Sequence, residues 1–348
     1  MEIQIQLPRS RGEKRDQELI AFGNGLITIA NRIGFKVSSR GWCYVLEGFN
    51  LITKAQFDKV ENLINELRKR GGLPIDFVAE EEARNFSGVE IPTTEDPIEY
   101  MKQFLQDVLD CEWYYTPNWF EGEEYYIQMI VEKIDLKTLF EPVCKEYHIP
   151  IATSKGWSSM LQRSEYARRF KEAEEKGLEC ILLYCGDHDP DGLRISDFLR
   201  KNLEDLARIH WNDGTKGYNP SKLTIDRFGL NYDFIEENGL TWIDNLITGS
   251  KKNLASPTHK NFYMPYVQNY LKEIGERKCE ANALVIVPEK AHNLCRDIIN
   301  SYLGNEVLLR FEKKRQDIVD IVTEFRERTE LDITVKEAIE MIEEEKEE

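Results

Sequence analysis

Residues 179 to 192 read ECILLYCGDHDPDG, an apolar run that passes directly into a turn holding Asp187, Asp189 and Asp191. Glu179 to Tyr184 has the composition of a strand, and Leu193 to Ala207 that of the helix after it. In an extended turn alternate residues project to one side, so Asp187 and Asp189 can reach one divalent cation while Gly186 and Gly192 allow the tight backbone. Mg2+ suits such a site, being a hard ion usually held by one or two protein carboxylates and a substrate phosphate, and Mn2+ is an alternative. No basic residue lies within the turn, so its three acids repel one another unless a cation joins them. The same residues also fit a plain DPDG turn whose acids cap the following helix. His188 falls on the other side of the alternation, which predicts a packing or exposed role rather than metal contact.

Upstream, YYIQMIVEK (125 to 133) predicts a second strand that ends in an acid, Glu132. Between the two strands lie a helix at Leu136 to Tyr147, a strand at Ile149 to Ala152 and a helix at Ser158 to Gly177. Strands alternating with helices imply an α/β fold with a parallel sheet, right-handed crossovers and a ligand crevice at the carboxyl ends of the strands. Glu132 and the three aspartates belong to that crevice.

The chain before this region reads differently. Residues 1 to 71 hold twelve basic and eight acidic side chains, a surplus of four in a protein whose net charge is −17. Apolar spacing predicts helices at Asp16 to Arg32, at Ser38 or Ser39 to Glu47, and from a Thr53/Gln56 capping box to about Arg70. Gly71-Gly72 stops the last, and LPIDFV (73 to 78) reads as a short strand. Three helices and a strand are the order of a winged-helix module, whose last helix enters the major groove. Lys59, Arg68, Lys69 and Arg70 would then contact DNA, although the same bases fit an ordinary solvated helix face. A further helix is expected at Pro97 to Leu109. The aromatic stretch EWYYTPNWFEGEEYY (112 to 126) marks the boundary, and its rings fit either base stacking or core packing. The expected division is a DNA-binding domain at 1–120, a metal-binding catalytic domain at 121–330 and an acidic tail at 331–348.

Composition excludes several classes. With 41% apolar and 31% charged residues the chain is a folded, globular protein, and its acidity argues against indiscriminate coating of nucleic acid. Seven cysteines without a C-x-x-C pair indicate neither a zinc site nor a disulfide framework and suit a reducing cytoplasm. No apolar run approaches the ~18 residues of a membrane helix, and no G-x-x-x-x-G-K-S/T motif is present to bind a nucleotide.

A Glu ending one strand and an Asp-x-Asp ending another resemble the toprim domain of topoisomerases, primases and related nucleases. VEK at 131 to 133, TSKGWSS at 153 to 159 and DHDPDG at 187 to 192 are similar, in that order, to motifs of the topoisomerase VI A subunit and its meiotic double-strand-break relatives. SSRGWCYVL (38 to 46) resembles the R-D-I-Y-Y helix of that family, whose second Tyr attacks DNA, although Gly41 and Cys43 replace the acid and the first Tyr. RFGLNYDFIEENGL (227 to 240) and KCEANAL (278 to 284) resemble later segments, with Glu280 a further acid.

The resemblance implies a winged helix followed by a toprim domain and a helical C-terminal segment. It implies Mg2+-dependent DNA cleavage in which Tyr44 is the nucleophile, Arg40 one helical turn before it grips the scissile phosphate and favours phenolate, and Lys155 holds a phosphate. Glu132, Asp187, Asp189 and Asp191 would ligate the metal, with Glu132 also serving as acid and base. Expected partners are DNA, a second copy placing its Tyr44 against this chain's acids, and a separate ATPase subunit if strands are passed. A hydrolytic toprim nuclease and a non-catalytic DNA-binding or assembly protein are the other readings.

Overall fold

The structure, a computed structural model, describes residues 5–79, 92–93, 96–154, 160–211, 213–247 and 252–347. Its centre is a four-stranded parallel sheet of order β2-β1-β3-β4, formed by β1 (Tyr125–Val131), β2 (Ile151–Thr153), β3 (Glu179–Cys185) and β4 (Thr224–Gly229). The two central strands are buried along almost their whole length, which is why both read as mainly apolar runs, with the buried Gln128 the one polar residue inside β1. β1 pairs with β3 in register from Tyr125–Glu179 to Val131–Cys185, so the residues following Val131 and Cys185 leave the sheet side by side.

Helices α5 (Ile134–Glu146), α6 (Met160–Glu175) and α7 (Ile195–Glu204) connect and cover the strands. On one face Tyr166 and Phe170 of α6 and Leu199 and Leu203 of α7 pack with Ile130, Leu182 and Tyr184. On the other, Cys144 of α5 meets Met129, and Phe140 meets Phe228 edge to face. The strands and helices expected between 125 and 207 are all present, with ends shifted by a few residues. β4, which the sequence did not announce, is the added edge strand.

The N-terminal helices are α1 (Glu13–Ile33), α2 (Ser39–Gly48) and α3 (Phe57–Lys69), packed around Phe22, Leu26, Trp42, Leu46, Val60 and Ile64. Ser38 caps α2 by accepting from the Gly41 N–H, and the Thr53/Gln56 capping box is formed. The strand expected over 73–78 is absent: those residues run as turns, and only Ala79 bridges to Ser38. Pro74 lacks a backbone donor and Ile75 is exposed, and although Leu73 and Val78 at its ends are buried in the helical core, no ladder holds the segment extended.

The chain divides into two compact units, 1–80 with 124–302 and 81–123 with 303–348. This differs from the division expected at residue 120, because the N-terminal helices share one unit with the sheet. Val285, beyond the sheet, belongs to the core of the three N-terminal helices. The second unit contains α4 (Pro97–Leu109), α8 (Val307–Thr329) and α9 (Leu331–Glu347), so the acidic C-terminal segment is helical. Of the aromatic stretch, Trp119 and Phe120 are buried against Phe311, whereas Trp113, Tyr114 and Tyr115 are exposed. No helix among the described residues is long and apolar enough to cross a membrane.

Candidate active site

Where β1 and β3 end, the Glu132 N–H donates to the Cys185 carbonyl at 2.9 Å and the Asp187 N–H donates to Glu132 Oε2 at 2.7 Å. The acid of one strand thereby receives the backbone of the next. Asp187 Oδ1 accepts from the Ala281 N–H at 2.7 Å, and Asp189 Oδ1 from the Gly192 N–H at 2.6 Å. Gly192 is required by close approach, since a Cβ there would stand 2.3 Å from the Asp187 carbonyl oxygen.

Glu132, Asp187 and Asp189 are all held above their ordinary values. Burial is the main cause for each. Glu132 reaches about 7, with the charge of Asp187 as its second cause. Asp189 is raised further by Glu132 and Asp191. Among the described residues no set of three or more His, Cys, Asp or Glu side chains converges tightly enough to hold a metal ion as it stands. The donor chemistry nevertheless suits a hard cation: Asp187 is buried, Glu132 and Asp189 are half-buried, and the ionisation of all three is opposed by desolvation and by neighbouring acids, with only Asp187 ion-paired, to Lys133. Asp191 stands apart at the rim, exposed and accepting from Tyr266 Oη at 3.0 Å.

These acids line a cleft of about 990 Å3 together with Arg40, Tyr44 and Lys54. Helix α2 is fixed there by Asp135 of α5, whose buried carboxylate accepts from the Ser38 N–H (2.8 Å), Ser38 Oγ (3.1 Å) and Asn282 Nδ2 (3.2 Å). Asp135 also explains the glycine at 41, because a Cβ there would lie 2.1 Å from Asp135 Oδ2. Arg40 and Tyr44 bracket the Phe57 ring, the guanidinium at 4.7 Å and the phenol ring edge-on at 5.1 Å. Arg40 pairs with Glu61 at 3.3 Å and Asp58 at 3.6 Å.

Tyr44 shares a cleft with the acids of its own chain. One expectation about it needs correction. Arg40 was expected to favour phenolate. It does pull in that direction, as does Lys133, yet burial and the charge of Glu280 prevail and the phenol lies above its ordinary value.

The residues that motif reading passed over are lysines. Lys133 Nζ donates to Asp187 Oδ1 at 2.6 Å and to Glu280 Oε2, and lies 4.8 Å over the Tyr44 ring. Lys278 and Lys54 reach Glu280 Oε1 at 2.7 and 3.1 Å. Burial opposes charge on Glu280, but the three ammonium groups outweigh it and hold this carboxyl well below its ordinary value. The acids around Lys133 similarly outweigh its burial and hold it firmly protonated. Lys133 lies within the quoted VEK, and Lys278 and Glu280 within KCEANAL, but no sequence signal pointed to Lys54.

His188 is buried, as expected for a packing role, with Nδ1 3.0 Å from the Leu230 carbonyl and its ring among Tyr232, Trp242 and Tyr270. Of the four bases proposed to meet DNA, Lys59 donates to the Pro8 carbonyl, Arg68 to the Ile75 carbonyl, and Arg70 pairs with Asp16 and Glu66. Lys69 is exposed and makes no ion pair among the described residues. Lys155 lies outside the described residues. No family model matches the chain, and no curated protein or solved structure matches it significantly.

Proposed function

We propose that the chain is a winged-helix and toprim protein of the topoisomerase VI A type, which cleaves DNA through Tyr44 with a divalent cation held by Glu132, Asp187 and Asp189. The observation that supports this reading is the convergence of Tyr44 and Arg40, from the N-terminal helices, with the strand-end acids on one cleft. Attack of Tyr44 Oη on a phosphodiester forms a phosphotyrosyl bond and breaks the bond to a sugar oxygen, which leaves with a proton. Glu132, held at about 7 in the metal-free site, would either take up and return that proton or ligate the cation. Mg2+, when bound, supplies charge for the phosphate oxygens. Cutting both strands of a duplex calls for two such chains, and a two-fold dimer supplies them. Strand passage would require a separate ATPase subunit.

One observation favours a second reading, hydrolysis by a toprim nuclease. The Tyr44 phenol is raised rather than lowered, whereas Glu132 has the pKa of a base suited to activating water. Incubation with supercoiled DNA and Mg2+ or Mn2+, followed by denaturation and a probe for DNA-linked protein, separates the two. Tyr44→Phe removes one hydroxyl and keeps the ring against Phe57, so under transesterification cleavage and the adduct both disappear while the fold survives. Cleavage by Tyr44→Phe at the wild-type rate leaves only hydrolysis.

A further inference from the structure

Glu280 is 6% exposed and binds three ammonium groups that arrive from three separate parts of the chain. Lys54 comes from the turn before α3, Lys133 from the end of β1 and Lys278 from the segment leading to Glu280 itself. Lys54 and Lys278 pair with no carboxylate other than Glu280 among the described residues, while Lys133 is shared with Asp187. A phosphodiester presents two anionic oxygens to such donors just as the carboxylate does, and a phosphate dianion presents three. All four residues line the large cleft, and Lys54 and Lys133 lie 5.9 and 4.8 Å from the centre of the Tyr44 ring.

We propose that Glu280 occupies the seat of a substrate phosphate, and that Lys54 and Lys133 close on that phosphate when it replaces the carboxylate. This rests on the reading of the cleft as a DNA-cleaving site, and it adds the residues that position the scissile group beside Tyr44. The lysines differ in mobility. Lys278 is almost wholly enclosed and also donates to the Ile247 carbonyl at 2.9 Å, so it anchors the seat. Lys54 keeps 34% of its side chain exposed and has only Glu280 as an ionic partner among the described residues, so it can turn toward a ligand at little cost. Glu280 then acts as an internal competitor: while no phosphate is present it holds the ammonium groups together, and its charge opposes anion entry.

This assignment has a sign that a metal-ligand role for Glu280 does not. Binding is measured on the full chain in excess EDTA, where no metal-dependent cleavage occurs, with a 20-base-pair duplex and separately with inorganic phosphate. Lys54→Gln, at a partly exposed position, should weaken duplex binding about tenfold and reduce the slope of log K against log salt by about one. Glu280→Gln should tighten binding, on the order of tenfold, since a like charge leaves the side of the phosphate. If Glu280→Gln proves unstable, Glu280→Asp serves as the second variant; its retracted carboxylate should also tighten binding. Wild-type duplex binding that is unchanged by Lys54→Gln, or weakened by both Glu280 variants, overturns the seat and leaves the cleavage reading standing. Lys54-dependent uptake of inorganic phosphate without duplex binding supports the seat and removes DNA as its ligand. Absence of both overturns the seat.

Discussion

Two groups of acids face the same cleft and have opposite electrostatic fates. Glu280 is matched by Lys54, Lys133 and Lys278 and is ionised against its burial. Glu132, Asp187 and Asp189, a few ångströms away in the chain's own hydrogen-bond network, are pushed toward protonation. Lys133 shows how the difference arises: it follows Glu132 in sequence, yet its ammonium bridges Asp187 and Glu280. Three ammonium groups thus compensate Glu280, whereas of the other three acids only Asp187 is ion-paired, through the lysine it shares with Glu280. Under the proposed function the first arrangement would seat an anion and the second a cation, and a phosphodiester cleaved with a metal needs both.

The largest expected effect comes from the strand-end acids. Replacing Asp187 and Asp189 together with Asn should reduce Mg2+-dependent cleavage on the order of a thousandfold, the several kcal/mol that metal stabilisation of a phosphoryl transition state supplies. Calorimetry should show that the double variant loses Mn2+ uptake while Glu280→Gln retains it. Identical Mn2+ uptake by wild type and double variant would erase the distinction between the two groups of acids.

A smaller effect is expected on stability, and its sign follows from Glu132. Its folded value of about 7 exceeds the ordinary 4.5, so the folded state binds this proton more tightly than the unfolded state. The associated stability is present in full below about pH 4.5 and is lost as pH rises through 7. A shift of roughly 2.5 units corresponds to about 3 kcal/mol, an upper figure for one buried group. In EDTA, Glu132→Gln should therefore be more stable than wild type at pH 8 and indistinguishable from it at pH 4.5. Denaturant titration at the two pH values measures this, and a Gln variant less stable at pH 8 would mean that the carboxylate is already compensated.

The contrast also explains what the sequence could reveal. The sheet was legible because β1 and β3 are mainly apolar, and the acids because a turn of alternating Asp follows directly on a buried strand. α2 was legible from Ser38 and its apolar spacing, which bury Trp42, Val45 and Leu46. β4 was not: only Phe228 and Gly229 of its six residues are buried, so it lacks the apolar run that marked the central strands. The lysine cluster was hidden for another reason. Its members stand at 54, 133 and 278, and no periodicity links residues that only the packing of α2 and α5 against the segment around 281–286 brings together. Lysine is also usually exposed, and nothing local distinguishes Lys54 from Lys59.

The smallest expected effect tests whether the surface bases of α3 differ from those of the cleft. Arg70 is half exposed and pairs with Asp16 at 2.7 Å and Glu66 at 2.7 Å; such exposed pairs contribute about 0–1 kcal/mol each. To reach a phosphate it must give up these partners, so much of what it gains on DNA is offset. Lys69, its exposed neighbour, has no such pair among the described residues. Arg70→Ala should accordingly change duplex affinity by less than about twofold, and Lys69→Ala by about two- to fivefold, both well below the effect of Lys54→Gln. Fluorescence anisotropy across a salt series reads all three variants on one scale. An Arg70→Ala loss equal to that of Lys54→Gln would show that α3 grips DNA as strongly as the cleft does, and the contrast between solvated and gathered bases would fail.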